Sequence, residues 1–155
     1  MKKKKATAIT VDQQILDIVN ETDHKTLVIW AADCAQRVLP YFTKIFPEDN
    51  RPQTAIAMAR GWIDGEVKTM PARKAAFASH TAARNTGNAL SARSAARSAG
   101  HAAATTHVAK HASLAAAYAI AARCDASESA SVDALQQVVE KERAWQYEHL
   151  LTLKY

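Results

Sequence analysis

Residues 27–45 read LVIWAADCAQRVLPYFTKI, and this stretch decides the fold. Leu27, Trp30, Ala31, Cys34, Val38, Tyr41, Phe42 and Ile45 recur at spacings of three and four, the imprint of a helix with one buried face. Pro40 interrupts it: proline removes the hydrogen bond back to residue 36 and disfavours α geometry in the residue before it, which predicts a kink or short break. No segment alternates with period two for long, and the chain of 155 residues has only four glycines. The reading is all-α: a compact bundle of about six to seven helices with alanine-rich central helices.

Working outward, Asp12 caps a first helix over roughly 12–21 that carries Ile15, Leu16, Ile18 and Val19. After the loop at 46–52, Asp49 or Asn50 caps a third helix. Pro52 fits its first turn, and Gly65 ends it in the left-handed conformation. Thr69 with Pro71 opens a fourth helix that Gly87 closes. From residue 88 to 123 the helical signal runs on, with Gly100, Thr105 and Thr106 as weak points, so a break falls near 105–108. Residues 125–131 read as a loop. A last helix over roughly 132–150 turns Val132, Leu135, Val138, Val139 and Trp145 toward the core.

The hydrophobic fraction of 48 % can build a core, and one globular unit is expected over 11–155. Of the formal charge of +5, four units come from Lys2, Lys3, Lys4 and Lys5. Residues 1–10 are therefore read as a basic disordered tail on a nearly neutral body, which argues against specific nucleic-acid binding. No apolar run approaches the roughly 20 residues of a membrane span, and no apolar segment follows the lysines as in a signal peptide. The expectation is a cytoplasmic protein with no membrane partner. Cys34 and Cys124 lie in apolar helical patterns and read as reduced core thiols. Trp30, Trp62 and Trp145 read as core packing for the same reason.

Charge is distributed unevenly. Residues 67–124 contain no Asp or Glu, yet hold eight Lys/Arg and four of the six His. Arg73, Phe77, His80 and Arg84 share one face of the fourth helix, and Arg93, Arg97 and His101 share one face of the fifth. His107 and His111 are four apart and pair on one side if the sixth helix begins before them. With His80 or His101 and Asp33 they could hold a divalent metal. The alternatives are hydrogen-bonded imidazoles, ion pairs of the arginines with Asp33, Asp49, Asp64 or Glu66, or an anionic ligand on the arginines. Phosphate-loop, nucleophile-elbow, kinase and dinucleotide motifs are absent, so no catalytic residue is indicated and an enzyme is the less favoured reading.

The strings WAADCAQRVLP at 30–40, PEDNRP at 47–52, ARKAAFASH at 72–80, AGH at 99–101, THVAKH at 106–111 and ERAWQYEH at 142–149 resemble bacterial immunity proteins of the immunity-protein-five-like group. The resemblance spans about residues 27–149. It implies a helical protein that neutralises a cognate protein toxin of the same cell or its kin by occlusion. Its polar motif falls on Asp33, Arg37, Asp49, Asn50, Arg51, Arg73, His80, Arg84, Arg97, His101, His107 and His111. The chain departs from it in being polar at Thr86, Asn88, Ser91 and Ser98, where alanine is expected. Motif and helical stripes select the same Arg and His residues, with Asp33 and Arg37 as an i, i+4 pair facing them, so a buried or cleft-lining polar cluster is predicted. A small metal- or anion-binding helical enzyme using that cluster is the alternative function. A second copy of the chain is a further candidate partner, because long alanine-rich helices pack against one another.

Overall fold

The computed structural model describes residues 6, 7, 9–129 and 131–155. Among them the order is α1 (Gln13–Asn20), α2 (His24–Val38), α3 (Pro40–Thr43), α4 (Arg51–Ile63), α5 (Thr69–Arg84), α6 (Leu90–Ala104), α7 (His111–Ala126) and α8 (Val132–Lys154), with α3 a single turn and no strand. Residues 1–5 of the expected basic tail lie outside the described residues, as does residue 8. Thr7 donates from its backbone N and its Oγ1 to Asp125 Oδ1.

Local chemistry explains the boundaries. Asp12 accepts from Ile15 N, Asp23 from Thr26 N and Ser131 from Ala134 N, capping α1, α2 and α8. At α4 it is Asp49 rather than Asn50 whose side chain accepts from the first turn, through Oδ1 to Arg51 N at 3.1 Å. Gly65 (φ 77°) and Gly87 (φ 60°) follow α4 and α5 in the left-handed region. The α2–α3 break falls at Pro40, but Leu39 stays helical at φ −51°, ψ −39°. Loss of the proline N–H therefore makes the break, rather than displacement of the residue before it. At the end of α6, the Thr105 and Thr106 hydroxyls donate to the His101 and Ala103 carbonyls, and α7 starts only at His111. His107 thus lies in the turn, and the i, i+4 pair with His111 is not formed on one helix.

The centre is alanine packed on alanine. Ala92, Ala95, Ala96, Ala99, Ala102 and Ala103 of α6 are buried, as are Ala112, Ala115, Ala119 and Ala122 of α7. Such small side chains bring backbones close enough for hydroxyls to cross between helices. Ser79 Oγ donates to Ala96 O at 2.8 Å, and Ser98 Oγ to Ala115 O at 2.7 Å. Ser98, unexpected beside the family pattern, is a strut between α6 and α7. Trp30 and Phe42 supply the bulk, and Trp30 Nε1 donates to the Gln146 carbonyl at 2.9 Å. Cys34 and Cys124 are buried; burial pushes the Cys34 thiol up, away from the reactive thiolate.

Two apolar expectations are corrected. Ile45 is 50 % exposed beyond the proline break. In α8 the buried residues are Glu142, Gln146 and Leu150, whereas Val132 is 78 % exposed. Trp145 packs against the core as expected, with Tyr147 and Leu153, and the buried polar residues Glu142 and Gln146 find hydrogen-bonding partners on α2 and α7.

Gly100 offers a direct test of close packing. A Cβ built there would lie 2.7 Å from His80 Cε1. Gly100→Ala gains about 1 kcal/mol of helix propensity, but overpacking costs about 1–3 kcal/mol. A net loss of about 1 kcal/mol in urea unfolding is the expected result, and a stabilised variant would contradict the packing described.

Candidate functional site

The polar residues sort into separate assemblies. The first joins α2, α4, α7 and α8. Glu142, 2 % exposed, receives Arg37 Nε at 2.8 Å and Arg37 Nη2 at 3.1 Å. Arg123 Nε lies 2.7 Å from Glu142 Oε2, an ion pair whose orientation makes no hydrogen bond. The Arg37 guanidinium also covers the Trp145 ring, 3.8 Å from its centroid. Trp145 stacks on His149 at 4.7 Å, and His149 Nε2 lies 2.8 Å from Asp33 Oδ2. Arg60 Nη1 completes the ladder at 2.9 Å from Asp33 Oδ1. One ladder of alternating charge and aromatic ring therefore fixes α8 to the body.

The second assembly is a column of imidazoles between α5, α6 and α7. His80 meets His101 edge to face at 4.8 Å between centroids, and His101 stacks on His111 and on Tyr118, each at 5.2 Å. The Nδ1 atoms of His101 and His111 are 2.9 Å apart, so one ring must donate and the other accept. His80 Nδ1 is buried without a hydrogen-bond partner. Burial, reinforced by Arg97 and neighbouring imidazoles, pushes His80 down to about 4 and His101 to about 3, and burial also lowers His111. The column is held neutral.

Third comes the exposed face of α5. Met70 and Phe77 are 59 % and 57 % exposed, and the Arg73 guanidinium lies over Phe77 at 5.5 Å. Arg84 Nη2 donates to Thr81 Oγ1 at 2.8 Å. Among the described residues Arg73, Arg84, Arg93 and Arg97 form no ion pair, while Asp33 and Asp49 are taken by Arg60, His149 and Arg51.

Asp49, Asn50 and Arg51 form a local loop unit, with Arg51 Nη2 2.7 Å from Asp49 Oδ2. The residues selected from sequence are therefore divided. Asp33 and Arg37 join the α8 ladder, His80, His101 and His111 join the imidazole column with Arg97 beside it, and Arg73 and Arg84 face outward. His107 is exposed. Among the described residues no three His, Cys, Asp or Glu side chains are arranged to hold a metal ion. The Arg60, Arg123, Glu142 and His149 partners were not among the residues selected. No local pattern marks them, because they come from three different helices, α4, α7 and α8.

Fold and site together define an alanine-packed all-α bundle tied by internal ion pairs and neutral imidazoles, with one cationic-aromatic face open. No helix among the described residues is long and apolar enough to cross a membrane. The chain belongs to the family described as Imm-5 like putative immunity protein, whose model matches residues 17–153. That span includes all three assemblies. No curated protein and no solved structure matches the chain.

Proposed function

We propose that this protein binds a cognate bacterial protein toxin in the cytoplasm and neutralises it by occlusion, with the outer face of α5 as the anchor. The observation that carries the reading is the exposed Met70, Arg73 and Phe77 on the same helix as Arg84, which forms no ion pair among the described residues, in a segment free of acidic residues. Exposed aromatic and arginine side chains are the usual anchors of tight interfaces. A cationic surround speeds association with an acidic partner and rejects basic ones. Membership of an immunity-protein family supports a toxin as that partner.

The test is co-expression with the toxin encoded beside its gene. The wild-type chain should restore growth, and the double variant Arg73→Glu/Phe77→Ala should lose protection, with affinity for the purified toxin reduced about a hundredfold. Both side chains are exposed, so circular dichroism and the thermal midpoint should stay unchanged. Undiminished protection would move the interface off α5.

A further inference from the structure

Beside the α8 ladder lies a cleft of about 450 Å³, within the size range of small-molecule sites. Tyr41, Val138 and Trp145 supply apolar surface, and the lining carries three cations, Arg37, Arg123 and Lys141, against one carboxylate, Glu142. That carboxylate accepts from Arg37 Nε and Nη2 and draws in Arg123 Nε. Both terminal nitrogens of Arg123 and the Lys141 ammonium have no acceptor among the described residues. The cleft therefore keeps surplus positive charge and unused donors next to aromatic and aliphatic walls. We infer that it is a binding site for a carboxylate carried on an apolar body, supplied either by a free organic acid or by the end of a polypeptide chain.

Lining and ligand match in two parts. Guanidinium donors favour planar carboxylate or phosphate oxygens. A phosphate would leave the Tyr41, Val138 and Trp145 surface without a partner, whereas an aryl or alkyl carboxylate covers both halves of the lining. Glu142 already holds the two arginines in place, so little side-chain ordering remains to be done on binding. Neither the α5 face nor any toxin enters into this assignment.

The probes are phenylacetate, N-acetylphenylalanine with a free carboxylate, phenylacetamide and inorganic phosphate, each titrated into the full chain while the Trp145 indole N–H is followed by NMR. At least one carboxylate should give a saturable shift, and phenylacetamide and phosphate should each bind at least roughly tenfold more weakly. Tighter binding of phenylacetate identifies a free acid as the source, and tighter binding of N-acetylphenylalanine identifies a chain end. Lys141→Glu should weaken the carboxylate roughly tenfold without moving the thermal midpoint, since Lys141 holds no partner in the fold. No saturable shift with either carboxylate, equal binding of the neutral amide, or tighter binding of phosphate would each overturn the assignment.

Discussion

Acidification from pH 7 to pH 4 is expected to remove about 3 kcal/mol of unfolding free energy, with the loss concentrated between about 6.5 and 4. The cause is the imidazole column. In the unfolded chain a histidine takes up its proton near 6.5, while folded His80 holds off to about 4 and His101 to about 3. In that window the unfolded state binds more protons, so stability rises with pH and falls on acidification. Lowering a pKa by one corresponds to about 1.36 kcal/mol. Both rings keep part of their surface in water, which screens the effect and holds the loss below the sum that full burial would give. Arg84 and Arg97 on α5 and α6 and Lys110 before α7 add positive charge around the rings, His107 also faces His111, and Tyr118 stacks on His101. The lowered carboxyls of Asp23 and Asp49 act at the acid end of this window and below it, because their stabilisation is lost as pH falls through the ordinary carboxylate range. Urea unfolding from pH 7 to pH 4 checks the result, with His101→Gln expected to flatten the profile. A midpoint that does not move above pH 4.5 would refute the neutral column.

Glu142→Ala should lower stability by about 3 kcal/mol and the thermal midpoint by about 10 °C. Removing the carboxylate leaves Arg37 and Arg123 facing each other across the junction of α2, α7 and α8. The arginine side chains are 33 % and 29 % exposed, so water relieves part of the repulsion, and the loss sits at the lower end of the range for breaking a buried pair. Arg37→Ala should cost less than Glu142→Ala, because Arg123 still meets the carboxylate. Chemical denaturation of the two variants tests the ranking. A loss below about 1 kcal/mol for Glu142→Ala would mean that the ladder is ornamental and that Gln146 and Leu150 hold α8 alone.

The elements legible in sequence were those with local causes. The period of α2, the Asp12 cap, the left-handed Gly65 and Gly87 and the threonine stop after α6 each depend on residues a few positions apart. Of the two helical stripes only His80 and His101 meet, because Arg73, Phe77 and Arg84, expected on the same face as His80, turn outward. What escaped depends on how distant helices dock. Arg37 and Glu142 are 105 residues apart, and no local pattern pairs them. In α8 the apolar spacing of Val132, Leu135, Val138 and Val139 pointed to a core face. The bundle instead receives Glu142 and Gln146, whose Nε2 donates to Ala116 O at 2.9 Å. A hydrophobicity pattern cannot find a face whose burial is made favourable by hydrogen bonds. Likewise, the acid-free stretch did not predict that Arg73 and Arg84 would form no ion pair among the described residues, where Asp33 is held by Arg60 and His149 and Asp49 by Arg51.

The alanine centre also bears on the temperature response of the fold. Heat capacity rises when apolar surface is exposed to water and falls when peptide groups are exposed. A core of methyl groups around close-set backbones buries relatively little of the first per peptide of the second. A small heat-capacity increment per residue is therefore expected, with a broad, shallow stability curve on which the balance between folded and unfolded chains changes little over the range of temperatures at which cells grow.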